Sequence, residues 1–272
     1  MPICTTRSFY QSATVIAAPV SQVAFAWPLT QVARPLPLFV ARQGYHLAVP
    51  QPAEEAFSGL AYVTHVDSST GDSSETIVAM SNINAGDLLV HLDWVEPTVD
   101  PPTDTIPSGF TGIGSLVADI ANGAFRASYK IAVGNEDSTT FSGLIAQSGR
   151  KAVLLIQYRG DVPIVSVSVS TPVSEYTGLN PAEKTIAASG GVAPVLGIAC
   201  FCARNNGSTI SPRTTSITPD HELNDTGGQD VETAFYVHDY IQESSPADYT
   251  FDMDDEGTNN CLFGFYFHNF SG

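Results

Sequence analysis

Asp252-Met253-Asp254-Asp255-Glu256-Gly257 sets acidic side chains at alternate positions ahead of a glycine, which is how an EF-hand calcium loop begins. The match then stops, because Phe263 stands where the loop needs a bidentate Glu and no helical pattern flanks it. Two readings remain: a solvated acidic hairpin turn, or a calcium loop of another kind with Asp252, Asp254 and Glu256 as its ligands. Asp220-His221-Glu222 with Asp225 gathers an imidazole and carboxylates, the residue types that hold a metal or move a proton. Nothing in their spacing brings a further group to them. His46, His65, His91, His238 and His268 lie apart, and the sequence contains no G-x-S-x-G, H-E-x-x-H or phosphate-cradling glycine loop. No catalytic residue and no cofactor is therefore assigned, and the chain is not read as an enzyme.

Cys4, Cys200, Cys202 and Cys261 are too few and too scattered for a disulfide framework in 272 residues. The one-residue gap puts Cys200 and Cys202 on the same face of a strand, with no second C-x-C or clustered histidine to complete a zinc site. They read either as small buried hydrophobes or as disulfide partners. If their strand neighbours that of Cys261, one of the two reaches Cys261, while Cys4 would pair with another subunit. Arg159-Gly160-Asp161 spells an adhesion tripeptide, yet a turn between strands asks for the same residues. The run Phe263, Phe265, Tyr266, Phe267 and Phe270 reads as core on one face and interface on the other, or as a platform for stacking sugars.

The elements that would position these groups are strands. From Lys151 to Thr171 an apolar run, Ala152 to Tyr158, is followed by Val165, Val167 and Val169 alternating with Ser166, Ser168 and Ser170. That period of two marks a half-buried strand, and Arg159-Gly160-Asp161 between the halves predicts a central hairpin. Leu88, Val90, Leu92 and Trp94 alternate with His91 and Asp93, and Phe125, Ala127, Tyr129, Ile131 and Val133 alternate with Arg126, Ser128 and Lys130. Further strands are expected over 61–66, 75–80, 139–144, 184–188, 192–202 and 233–241. Residues 249–253 and 261–270 form a closing hairpin, 112–121 is open to a short helix, and 205–228 is a long polar loop.

Residues 1–53 differ. Pro19, Pro28, Pro35, Pro37, Pro50 and Pro52 break regular structure, while Phe25, Trp27, Leu36, Leu38 and Phe39 are too apolar to remain solvated. This stretch is expected to be an extended arm that docks on a neighbouring subunit, giving a homo-oligomer, and 54–272 a single β domain. Lys and Arg number 11 against 28 Asp and Glu, so the formal charge of −17 repels nucleic acid. No apolar run reaches the roughly 18 residues of a membrane-spanning helix. No basic stretch followed by an apolar one opens the chain, so export through a signal peptide is not expected.

Five phrases, Gly86-Asp87-Leu88-Leu89-Val90, Pro107-Ser108-Gly109-Phe110-Thr111, Ser128-Tyr129-Lys130-Ile131-Ala132, Tyr158-Arg159-Gly160-Asp161 and Asp252-Met253-Asp254-Asp255-Glu256-Gly257, occur in this order. Together they resemble a group of tailed-bacteriophage and prophage virion proteins. The resemblance implies a β-rich particle component, assembled in the host cytoplasm, with other virion proteins as partners and no catalytic residues. The expected fold is an antiparallel, jelly-roll-like β-sandwich. The expected role is a surface component of capsid or tail, of decoration, collar or fibre type, held by its arm. The other reading is a receptor-contacting fibre module whose partner is a host surface glycan.

Overall fold

The computed structural model describes residues 57–70, 76–78, 80–97, 103–119, 123–143, 149–177, 182–187, 192–204, 211–214, 216–225, 233–254 and 258–272. The arm with Phe25, Trp27, Leu36, Leu38 and Phe39 lies outside these residues, as do Cys4 and Glu256. Among the described residues the regular structure is all strand, paired antiparallel throughout.

The first sheet contains β1 (Leu60–Thr70), β3 (Leu88–Pro97), β4 (Thr111–Asp119), β5 (Gly123–Ile131) and β7 (Gly149–Gly160), in the order β1-β7-β3-β5-β4. A small sheet pairs β2 (Thr76–Val78) with β6 (Thr140–Ser142). The second large sheet runs β13 (His221–Asp225), β14 (Thr233–Gln242), β11 (Val195–Arg204), β16 (Thr258–Ser271) and β8 (Ser166–Val169), with β9 (Val173–Thr177) also on β16. A third sheet orders β10 (Lys184–Ile186), β15 (Tyr249–Asp254) and β12 (Ser211–Thr214).

The period-2 rows explain the packing. Leu88, Val90, Leu92 and Trp94 from β3, Phe125 and Ala127 from β5, and Leu154, Ile156 and Tyr158 from β7 share one core with Ile198, Cys200, Cys202, Phe263, Phe265 and Phe267 of the second sheet. Phe125 meets Phe263 at 4.8 Å and Tyr129 meets Phe267 edge-on at 5.3 Å, so aromatic rings join the two inner faces. The aromatic run of β16 is thus core through Phe263, Phe265 and Phe267. Tyr266 points the other way and is half-buried. Trp94 is fully buried and offers no face to a sugar.

Several expectations need correction. Residues 159–161 do not turn a hairpin: β7 lies in the first sheet, whereas β8 pairs with β16 in the second. Gly160 is absent from the glycines with positive φ that a tight hairpin turn demands. Its lack of a side chain instead admits the ring of Phe57. Of the 112–121 stretch, residues 112–119 belong to strand β4, and its glycines serve a register shift between Ile113 and Val117 where Gly114 has φ +64°. The polar segment after Asn205 carries β12 and β13. β15 and β16 are not a hairpin, because β15 pairs with β10 and β12. The chain also completes the first sheet before entering the second, whereas a jelly roll shuttles its strands between two sheets.

The largest departure concerns the polar rows. His91, Asp93, Arg126 and Ser128 are buried rather than wet, and Gln157, in a run that reads as covered on both faces, is buried beside them. Phe110 and Phe141, edge-on at 5.0 Å, close over this face with Met80 and Ile83. Arg126 forms an ion pair there with Asp104, Nε to Oδ1 at 2.9 Å, and donates Nη1 to the carbonyl of Gly114 at 2.7 Å. Across the molecule the outer side of the second sheet is covered by the third, with Phe201, Tyr240 and Leu262 against Ile186, Tyr249 and Phe251. The row Val165, Val167, Val169 is less buried than its alternation predicts, Val165 being 69% exposed.

Candidate functional site

The residues best arranged for chemistry gather where edge strand β1 of the first sheet approaches edge strand β13 of the second. Along β14, Val237, Asp239 and Ile241 form the inward row, so Asp239 stands where an apolar side chain is expected. Tyr158 ends the corresponding row on β7. Its hydroxyl donates to Asp239 Oδ2 at 2.8 Å, bridging the two sheets. His221 Nδ1 donates to Asp239 Oδ1 at 2.9 Å, since a carboxylate can only accept. The imidazole stacks on Tyr62, with ring centres 4.1 Å apart, and the Tyr62 hydroxyl is hydrogen-bonded to His65 Nδ1 at 2.6 Å.

Electrostatics follow from burial. Asp239 has no exposed surface, and that burial raises its carboxyl above the ordinary value against the lowering effect of Tyr158 and His221. Burial, with the neighbouring Asp239 charge, drives the Tyr158 phenol well above its usual range, so it remains a donor. The His221 side chain is 37% exposed with its Nδ1 side held. This is the orienting half of an acid–base machine. Its other described partner is the Tyr62 ring, and no hydroxyl or thiol hydrogen-bonds to it among the described residues. What the arrangement accomplishes is to tie one sheet to the other.

A second cluster lies at a corner of the first sheet. Asp87, 2% exposed at its side chain, receives Arg159 Nε on Oδ1 and Nη2 on Oδ2, both at 2.7 Å, and Gln157 Nε2 at 2.6 Å. Burial alone would raise the Asp87 carboxyl, but the hydrogen bonds of Arg159, the Asn84 amide and Gln157 hold it below its ordinary value. Beside it Gly86 N donates to Ala132 O and Ala132 N to Asp87 O, both at 2.8 Å. Gly86 needs to be glycine twice over, having φ +87° and Pro163 against the place of a side chain. Next in the chain, Glu136 accepts Lys130 Nζ at 2.7 Å and the amides of Val133, Gly134 and Asn135 at 2.8–3.0 Å.

The sequence-derived candidates fare unevenly. Arg159 and Asp161 are both engaged internally, the latter with Ser58 N and Oγ, so the tripeptide is used within the fold. His221 acquires a partner, Asp239, that the sequence did not flag. The signal for it was a carboxylate interrupting an apolar row. Asp220 turns to the backbone, accepting Ile241 N. Asp252 is half-buried in β15, whereas the side chain of Asp254 and all of Glu256 fall outside what is described, so the calcium reading of this loop lies outside the described residues. Among the described residues no group of three or more His, Cys, Asp or Glu can hold a metal ion. Cys200, Cys202 and Cys261 are free, buried thiols, and Cys202 stands opposite Cys261 on neighbouring strands.

No protein-family model, curated protein or solved structure matches the chain.

Proposed function

We propose that the chain is a structural component of a tailed-bacteriophage particle: an antiparallel β-sandwich of two successive sheets, displayed on capsid or tail and attached through the arm at 1–53. One observation supports this reading above others. Phrases that carry the resemblance, drawn from positions 86 to 161, converge on one corner: Gly86 and Asp87 bond Ala132, Asp87 binds Arg159, and Gly109 lies near the Lys130 side chain. Each of these phrases then has a physical role inside the fold, as part of its internal bonding or packing rather than of a reaction centre. The acidic surface and hydroxyl-rich strands suit a particle exterior.

The test is to purify particles from a host that expresses the full chain with a C-terminal epitope tag, then quantify the chain by mass spectrometry and locate it by immunogold labelling. A fixed copy number per particle, with labels on capsid or tail, supports the reading. A chain that stays in the soluble fraction while complete particles form without it overturns it. Deleting 1–53 is expected to leave the β domain folded and detached from the particle.

A further inference from the structure

Three thiols lie in the shared core, and the strand register distinguishes among them. Cys202 of β11 is directly opposite Cys261 of β16, while Cys200 is opposite Phe263. All three have no exposed surface. Directly opposed residues in an antiparallel ladder have Cα atoms about 4.5 or 5.5 Å apart, and both separations fall within the disulfide range of about 4.4–6.8 Å. Cys200 is a diagonal neighbour of Cys261, about 7–8 Å away, at or beyond the limit for a bridge. Cys200 and Cys202, two residues apart on one extended strand, stand about 6.6 Å apart with parallel side chains, whereas a disulfide brings Cβ atoms to about 3.8 Å.

We propose that Cys202 and Cys261 are a cross-strand dithiol that closes to a disulfide when the chain meets a low-molecular-weight disulfide oxidant, with Cys200 remaining a thiol. One thiolate attacks a sulfur of glutathione disulfide, forming a mixed disulfide and expelling one glutathione thiolate. The second protein thiolate then displaces the other. Two protein thiols are oxidised, one glutathione disulfide is reduced, and the two protons end on the two glutathiones. Burial holds the Cys202 thiol well above its ordinary pKa, and its hydrogen bond with Cys261 adds to this, so exchange proceeds when the β11–β16 pair opens. The bridge would join the strand pair at the centre of the second sheet and close a loop of about 60 residues, a size for which constraint of the unfolded chain is substantial.

The experiment uses the full chain carrying Cys4→Ser, held in urea just below its unfolding transition with glutathione disulfide. Remaining thiols are alkylated and the peptides mapped by mass spectrometry. The expected product is a Cys202–Cys261 bridge with Cys200 alkylated, and a urea midpoint raised by about 1 M over the reduced protein. Cys200→Ser keeps the bridge, and Cys261→Ser leaves Cys202 alkylated. A different pairing overturns the proposal. So does a chain shown by circular dichroism to be folded that keeps all three thiols free after prolonged exposure.

Discussion

Glu136 controls the turn after β5, and replacing it by Gln removes a charge that the surrounding donors are arranged to receive. Lys130 and three successive amides point at a carboxylate whose side chain is 2% exposed. Burial by itself would raise its pKa. The Lys130 hydrogen bond and the amides of Val133 and Asn135 outweigh that and bring it from 4.5 to about 2. A folded-state value below the unfolded one contributes stability above the unfolded pKa and loses it as pH falls toward the folded pKa. Taken at full size the difference amounts to about 3 kcal/mol at pH 7. By pH 3.5 about two fifths of it is gone, because the unfolded carboxyl is already protonated there. Glu136→Gln is therefore expected to lower the melting temperature by about 6–12 °C at pH 7. The gap between the two proteins should narrow steadily as the pH is brought down to 3.5. Calorimetric melts of both proteins across that range provide the measurement. A gap that is constant with pH, or below about 1 kcal/mol at neutrality, would refute the reasoning, since neither is compatible with a charge held in a preformed nest of donors.

Other perturbations have comparable clarity. Arg159→Lys keeps the charge but not the two-pronged contact to Asp87, and should cost about 1–2 kcal/mol in urea unfolding after allowing for the partial exposure of the guanidinium. Tyr158→Phe leaves buried Asp239 with His221 alone. A loss of about 2 kcal/mol is expected, along with an upward move of the Asp239 carboxyl resonance midpoint in an NMR titration. An unmoved midpoint would deny the bond between the sheets. Gly197→Ala puts a methyl group into the ring of Tyr240, and is expected to cost about 1–3 kcal/mol, whereas the pair Gly197→Ala with Tyr240→Leu should recover part of it.

The sequence was most legible where a strand obeyed its period and least where tertiary structure reassigned a face. Leu88, Val90, Leu92 and Trp94 on one strand and Phe125 and Ala127 on another were readable as core, and they are. His91 and Asp93 were not readable as buried, because what covers them, Phe110 and Phe141, comes from segments 17 and more residues away and no local pattern announces it. The hairpin expected at 159–161 fails for a related reason: turn-forming residues specify a change of direction, not which strand lies alongside afterwards. At the edge cluster His221 was visible as a titratable residue, but Asp239 was not, since an isolated carboxylate in a strand reads as a solvent-facing position. It becomes intelligible once Tyr158, on another sheet, is known to face it. The Cys202–Cys261 opposition depends on register, which sequence alone leaves open.

The division of the two large sheets along the chain also bears on synthesis. Every strand of the first sheet lies between residues 60 and 160, and every strand of the second between 166 and 271. A ribosome therefore delivers the first sheet whole while its apolar face, Leu92, Trp94, Phe125 and Leu154 among it, still has nothing to pack against. Full relief waits for β16, the last strand in chain order, which pairs with β8, β9 and β11 and carries Phe263, Phe265 and Phe267. During that interval, several seconds at ordinary elongation rates of about 5–20 residues per second, the nascent chain presents a sticky half-protein. Holdase chaperones and slow upstream codons would act on that half-protein, and a stop codon just ahead of β16 would fix the chain in it for good.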